Sequence, residues 1–385
     1  MSRAATAVLW GGAAALAYTH AGYPLLLAGL ARLRPPGAEA ATPETPGASA
    51  AGAATPSVSL VVAAHREAEV IAAKVANALA LDWPRERLEV IVACDGSPDD
   101  TPARARAAGA DVVLDLPWGG KVRAQDAAVA RARGDLLAFS DANARWEPDA
   151  LRALVAPFAD PRVGYVCGQV RFVGDGGTNQ DGLYWRYEMA VRALESRLAS
   201  VTGGNGAIYA VRREAYLHVD PVMGHDLSFP FNMVKRGWRA VYEPRARAQE
   251  KMVPTIEGEF ARRRRMMSHA WAIVLRGGLL SPRGYPPLYA LMIASHRVLR
   301  YAAPFIHVVV AAASLRLAPR SRPARLAVAA QAALLGAATA GARVRSRPLL
   351  VARYYVLTTA SVAAGLWDHL RHGTPAGWAP PEGTR

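Results

Sequence analysis

Four short apolar runs, at 58–63, 88–94, 112–114 and 136–140, alternate with helical patterns at 70–81, 102–108 and 122–133, and this alternation limits the fold most. Runs of Val, Leu, Ile and Ala without polar alternation suit strands buried on both faces. Strands joined through helices run parallel, because only a long crossover returns the chain to the same end of the sheet. The sequence therefore predicts an α/β domain with a Rossmann-like parallel sheet over residues 57–255. Ligands of such sheets gather at the carboxyl ends of the strands. Those ends carry His65-Arg66-Glu67, Asp95-Gly96-Ser97 and Asp141-Ala142-Asn143, three polar clusters expected on one edge.

The last cluster is the most specific. An apolar strand ends in Asp141, and a second oxygen ligand, Asn143, follows two residues later. Hard oxygen donors at a strand end suit Mg or Mn held against a diphosphate. An aspartate there also suits the cap of a following helix, and these residues alone leave both open.

Composition narrows the partners. The 385 residues carry a formal net charge of +15 and are 52% hydrophobic, enough for one large or two modest domains. Of the 46 basic residues only Lys74, Lys121, Lys235 and Lys251 are lysines, so the excess reflects an Ala- and Arg-rich composition rather than a nucleic-acid surface. Basic residues also crowd near apolar segments, as in a protein resting on anionic membrane lipid. Cys94 and Cys167 each sit in apolar, strand-like runs, which predicts reduced core thiols and a reducing compartment.

Residues 1–34 contain an apolar stretch from about 4 to 30, long enough to cross a bilayer of ~30 Å. Apolar sequence resumes at Tyr23 after the small residues Ala15-Leu16-Ala17, which favours an uncleaved transmembrane anchor over a signal peptide. Residues 35–56, rich in Ala, Pro, Gly and Thr, read as a flexible tether. The basic and aromatic stretch 256–300 predicts an amphipathic segment lying in the membrane interface, including 288–299, which His296, Arg297 and Arg300 punctuate. Three apolar blocks, 301–317, 325–342 and 349–367, predict three spans within 301–370, followed by a tail at 371–385. Arg32 and Arg34 place the following domain in the cytosol, so the expected location is the cytoplasmic membrane, multi-pass. The later arginines give no orientation, because Arg316, Arg320, Arg322 and Arg325 compete with Arg343, Arg345 and Arg347 on the opposite side.

The series Val58-Ser59-Leu60-Val61-Val62-Ala63-Ala64, Glu67, Cys94-Asp95-Gly96-Ser97-Pro98-Asp99-Asp100-Thr101, Gly119-Gly120-Lys121, Ser140-Asp141-Ala142-Asn143 and His225-Asp226 resembles the membrane-anchored family-two glycosyltransferases. These are inverting enzymes of the nucleotide-diphospho-sugar transferase (GT-A) fold, related to cellulose, chitin and hyaluronan synthases and to bacterial exopolysaccharide enzymes. The likeness covers nearly the whole chain, including Gly22-Tyr23-Pro24 in the anchor and the apolar tail.

The resemblance implies a role for each matched position. Asp95 would contact the uracil and ribose of a UDP-sugar, with Ala63 at the end of the first strand and Glu67 forming another wall. Asp95-Gly96-Ser97 is equally a good turn. Lys121, following two glycines at a helix start, would face the diphosphate, aided by the positive potential of the helix amino terminus; the other reading is a surface lysine. Asp141 and Asn143 would hold the divalent ion, Mg or Mn. The family often has a second aspartate where Asn143 stands, and a neutral amide lowers the ligand charge. Gly204 and Asn205, in Gly203-Gly204-Asn205-Gly206, would form a floor beside the donor sugar. Asp226 would be the catalytic base at the acceptor hydroxyl, with His225 replacing the first member of an acidic pair; a helix cap is the alternative. Arg262 and Arg265 fall where the synthases carry a Gln-x-x-Arg-Trp motif, with Arg262 in place of the glutamine and Met266 in place of the tryptophan. Trp271 would then supply the stacking on acceptor glycan, or the basic run is a solvated or lipid-facing helix.

Two functions follow. The first is a membrane-bound inverting glycosyltransferase moving a sugar from a UDP-sugar to a glycan or lipid-linked acceptor, in cell-surface polysaccharide or glycolipid synthesis. The second, raised by Asn143, His225 and Met266, is a non-catalytic member that binds nucleotide or polysaccharide within an export assembly.

Overall fold

The computed structural model describes residues 3–33, 55–173, 180–251, 255–344 and 346–377. The tether expected at 35–56 falls outside them except for its last two residues, as does the tail beyond 377.

One eight-stranded sheet organises the α/β domain. Strands β1 (Val58–Ala64), β2 (Leu88–Asp95), β3 (Val112–Leu116) and β4 (Leu136–Asp141) lie in the order β3-β2-β1-β4 and pair parallel throughout. Every residue of β1 is buried, which is why its sequence shows no polar alternation. The register sets Ala63 beside both Ala93 and Asp141, so β1, β2 and β4 end level with one another.

The purely parallel expectation holds for this half only. The sheet continues through β7 (Tyr209–Arg212), β6 (Val163–Val173), β8 (Arg239–Lys251) and β5 (Arg145–Trp146). Here β7 runs antiparallel to β4 and β6, β8 runs parallel to β6, and β5 pairs antiparallel with the outer edge of β8. Trp146 locks β5 down: it is 1% exposed, and its indole N–H donates to the Ala207 carbonyl at 2.9 Å. Cys94 and Cys167 are free, buried thiols in β2 and β6.

Two stretches of the helical half expected at a membrane interface are engaged by protein. Residues 288–299 open a continuous helical run, Pro287–Arg320, in which Ser295, His296 and Arg297 meet the side chains of Tyr18, Glu195 and Thr202. His296 and Arg300 meet the buried carboxylates Glu188 and Glu195, so protein groups rather than lipid headgroups satisfy them. The basic helix Ile256–Arg276 is likewise engaged by protein. Arg262 and Arg263 pair with Glu259, Arg264 makes a two-pronged pair with Asp368, and Ala270, Trp271, Ile273 and Val274 are buried.

Among the described residues two helices are long and apolar enough to cross a membrane, Pro287–Arg320 and Arg347–His372. Between them lies Arg322–Ala340, and residues 3–33 form one continuous helical run with a wide turn at Tyr18–Gly22. Ala5 and Leu9 of that run pack on Val310, Ala313 and Leu317.

A buried carboxylate joins the two halves. Glu195, 1% exposed, accepts hydrogen bonds from the Tyr23 hydroxyl at 2.6 Å, from His296 Nδ1 at 2.6 Å and from the Thr202 backbone N–H at 3.1 Å. Burial alone raises its pKa, but the charges of His296 and Arg297 outweigh that and hold the carboxyl below its ordinary 4.5. The resulting stabilisation is present above pH 4.5 and is lost as pH falls through the lower folded value. Replacing Glu195 by Ala is expected to cost about 3–5 kcal/mol, since it strands a buried cation and several donors. The thermal unfolding of detergent-solubilised protein at pH 7 checks this, and the deficit relative to wild type should shrink below pH 4.5.

Candidate active site

The carboxyl ends of β1 and β2 are laced together. His65 Nδ1 donates to the Asp95 carbonyl at 2.6 Å, the Arg66 N–H to the Ser97 hydroxyl at 2.9 Å and the Glu67 N–H to the Thr101 hydroxyl at 2.9 Å. Asp95 is buried, and its carboxylate accepts the N–H groups of Gly119 at 2.7 Å and Gly120 at 2.9 Å. Asp95 thus positions the turn that opens the helix Lys121–Arg131. Gly120 has φ = 99°, and a Cβ there would strike the Ala376 carbonyl, so glycine is required twice over. Ala63, near the end of β1, and Glu67, just beyond it, are both buried.

Lys121 leaves that helix start and forms an ion pair with Asp141 at the end of β4. Burial lowers the lysine pKa, but Asp141, with Asp226 and Glu250 behind it, outweighs burial and raises it. Three carboxylates therefore already face one cation. Gly206 leaves room for the pair: a Cβ would lie 3.2 Å from Lys121 Nζ and 3.4 Å from Asp141 Oδ2. Asn143 is half-buried in the turn after Asp141. Among the described residues no three His, Cys, Asp or Glu side chains gather closely enough to hold a metal by themselves. Asp141 and Asn143 nonetheless fit a hard divalent cation, with the Lys121 ammonium marking where positive charge is already accepted. Mg is commonly held in this way, by one or two carboxylates plus substrate phosphates.

Asp226 sits in the first turn of the helix His225–Lys235, whose cap is Gly224, so it is not the cap residue. Its half-buried carboxylate makes no hydrogen bond with a described residue and lies within electrostatic reach of Lys121, Tyr165, Tyr209 and Tyr301. Its backbone is held by an unusual device. Pro230, four residues on, has no N–H to give the Asp226 carbonyl, and that carbonyl instead accepts the Gly204 N–H at 2.6 Å. The Gly204 carbonyl accepts from Arg192 at 3.0 Å, and a Cβ on Gly204 would strike the Tyr165 hydroxyl.

Most other sequence candidates lie apart from this group, Arg262 excepted. The Asn205 side chain is consumed by backbone, donating to the Gly168 carbonyl at 2.8 Å and accepting from the Ala207 and Ile208 N–H groups at 3.1 and 2.9 Å. His225 is 4% exposed and stacks on Phe229 at 4.0 Å between Phe139, Tyr209 and Tyr216, so it belongs to an aromatic core. Trp271 is also core: its indole donates to the Val362 carbonyl at 2.9 Å and its ring packs near Tyr301 and Phe305, leaving no face for a glycan. Arg262 reaches the field of Glu250, and Arg265 lines a cavity of about 350 Å³ with Arg264, Ser268, His372 and Pro375.

Three further residues bear on the site that the sequence did not put forward as candidates. Lys74 is 3% exposed, donates to the Ala144 carbonyl at 2.7 Å beneath the Asp141 turn, and burial pushes its pKa down to about 7 despite Asp141 and Glu250. Glu250, from β8, is pushed up to about 7 by burial and by Asp141. Arg297 donates to the Thr202 hydroxyl at 3.1 Å, and its guanidinium fills the space beside Gly203. Scarcity of lysine is the one signal that pointed toward Lys74.

Comparison with known proteins gives the site a context. Residues 59–219 match the family model described as Glycosyl transferase family 2. Over 163 residues the chain is 34% identical to a beta-monoglucosyldiacylglycerol synthase of Synechocystis, covering 38% of this chain and 32% of that one. Over 242 residues it is 24% identical to the poly-beta-1,6-N-acetyl-D-glucosamine synthase of Staphylococcus aureus, covering 59% and 58%. The chain thus spans about a third to under three fifths of the length of these curated relatives. The solved mannosyltransferase PcManGT from Pyrobaculum calidifontis, in complex with GDP-Man and Mn2+, matches 94% of this chain and 99% of its own with a TM-score of 0.70 at 26% identity.

Burial holds His225 neutral, with Lys121 and His218 adding to the effect, and drives its pKa from 6.5 to about 3. The unfolded chain therefore takes up this proton first. Stability should fall as pH drops below 6.5, by up to about 1.4 kcal/mol per pH unit from this group, until about pH 3. Unfolding of His225→Phe beside wild type from pH 7 to 4 is expected to show a shallower loss in the variant.

Proposed function

We infer that this chain, whose residues 59–219 match the glycosyl transferase family 2 model, is a membrane-bound inverting glycosyltransferase that moves a sugar from a nucleotide-diphospho-sugar to a glycan or lipid-linked acceptor. The observation that carries this reading is the meeting of Lys121, Asp141 and Asp226 around the glycine floor, on a domain with that family's pattern. The donor is a UDP-sugar by the reading of Asp95, and the GDP-Man of the Pyrobaculum enzyme makes a GDP-sugar the first alternative.

Asp226 takes the proton of the acceptor hydroxyl, and the oxygen attacks the anomeric carbon opposite the departing nucleotide diphosphate. One displacement inverts that centre. Lys121 and the amino terminus of its helix offset charge growing on the leaving diphosphate, where electrostatic stabilisation acts most strongly. Asp141 and Asn143 would hold the divalent ion, which when bound supplies further positive charge at the diphosphate. Pro230 and Gly204 keep the base against the floor, and Asp95 keeps the helix start at the rim.

Two apolar helices and the packing of 3–33 on one of them support a multi-pass location in the cytoplasmic membrane with the α/β domain in the cytosol. Glycolipid and polysaccharide synthases among the relatives support a role in cell-surface synthesis.

Full-length protein in detergent, given UDP- and GDP-sugars with Mg or Mn and candidate acceptors, is expected to release nucleoside diphosphate. Asp226→Asn should lower kcat by about 100-fold or more while leaving donor affinity intact. Turnover retained in that variant removes Asp226 as base. Nucleotide binding without release for any pair favours the non-catalytic reading.

A further inference from the structure

We propose that Glu250 is the second carboxylate of the divalent-cation site, supplied across the sheet by β8 because the turn after β4 carries the amide Asn143. The proposal rests on the metal-assisted reading above and adds a residue to it.

The geometry begins with strand register. β5 pairs antiparallel with β8, setting Arg145 opposite Gln249 and Trp146 opposite Ala248. The Glu147 N–H to Arg247 carbonyl bond at 3.0 Å continues the same ladder. One step the other way brings Glu250 across from Ala144, the residue that follows Asn143. β8 is also fixed from its other side, where Glu250 is paired with Phe172 of β6. Two strands therefore hold Glu250 beside the turn that carries Asp141 and Asn143.

The surroundings match a ligand role better than a structural one. The Glu250 carboxylate makes no hydrogen bond or ion pair with a described residue, although it lies largely within the protein. The groups that face it are those of the site: Asp141, Lys121, Lys74 and Arg262. A buried acid left without a partner beside another acid is costly unless a cation joins them. The Lys121 ammonium does so in part, since Asp141, Asp226 and Glu250 all bear on it. Lys74 reaches the Ala144 carbonyl from below. With two lysines and an arginine so near, Asp141 and a neutral amide leave too little negative charge for a divalent ion. Glu250 restores it.

The test reads metal binding directly. Full-length protein in detergent is titrated with Mn2+ in the presence of UDP and, separately, of GDP, and free Mn2+ is measured by electron paramagnetic resonance. Glu250→Gln is expected to weaken Mn2+ binding about tenfold or more, as Asp141→Asn should. Adding Asn143→Asp to Glu250→Gln should recover most of the loss, which a merely structural role for Glu250 does not explain. Metal-free thermal unfolding of each variant serves as the fold control. Glu250→Ala, which removes the acid without burying an amide, is read in the same way should the Gln variant fail that control. Wild-type Mn2+ affinity in folded Glu250→Gln or Glu250→Ala, with loss in Asp141→Asn, overturns the assignment and leaves the transferase reading standing. Wild-type protein that binds no Mn2+ with either nucleotide overturns the metal reading and this proposal together.

Discussion

The hydrogen bond from the Gly204 N–H to the Asp226 carbonyl, 2.6 Å long, is the constraint on which the site turns. It exists because Pro230 withholds the donor that a regular helix would direct at that carbonyl. A helix interior is a poor place for proline, and one buried here is a local cost set against a functional gain. The bond ties the first turn of the Asp226 helix to the glycine floor. The floor is pinned from the other direction by Arg192 on the Gly204 carbonyl and by the tight approach of Tyr165. Asp226 and the glycine floor are therefore tied together from both sides.

The floor is anchored through Thr202, two residues before Gly204. Thr202 gives its N–H to Glu195 and receives Arg297 on its hydroxyl, while Glu195 also holds Tyr23 and His296. Tyr23 comes from the amino-terminal helical run and His296 and Arg297 from Pro287–Arg320, so both contribute to the position of the floor. Arginines in an apolar helix read, in sequence, as marks of a membrane surface. Here their partners are Glu188, Glu195 and Thr202, brought from about a hundred residues away, and no local pattern signals such partners.

The half of the sheet that was legible shows why legibility stopped where it did. β1, β2 and β4 are buried on both faces, so their letters are nearly all apolar, and a polar cluster marks each carboxyl end. Lys121 stood out as one of four lysines, and Asp226 by its place at a helix start. β5 is two residues long and β7 four, too short for a period, and β8 carries Arg245, Arg247 and Gln249 among its buried positions. Glu250 lay unnoticed in that mixed strand because its meaning comes from β5 across the ladder. His225 and Asn205 show the opposite error. Both sit within site motifs, yet one is packed among aromatic rings and the other is spent on three backbone groups.

The opposite edge of the site depends on the C-terminal helices as well. After Arg347–His372 the chain turns at Gly373, and Thr374 is held by Ser268 and His369 at 2.7 and 2.8 Å. The backbone then reaches the rim, where the Ala376 carbonyl lies against Gly120 and Gly377 against the Trp118 ring. Gly119 and Gly120 are the residues whose N–H groups Asp95 holds, so the segment after the last helix rests on the same turn that launches Lys121. The helices that carry Tyr23 and His296 thus bear on Gly204 and Asp226 through Glu195, and the segment after Arg347–His372 bears on Lys121 through the rim. Residues beyond Lys251 therefore supply groups that set Lys121 and Asp226 relative to each other, and in the proposed reaction the charge stabilisation of a leaving group depends steeply on that placement.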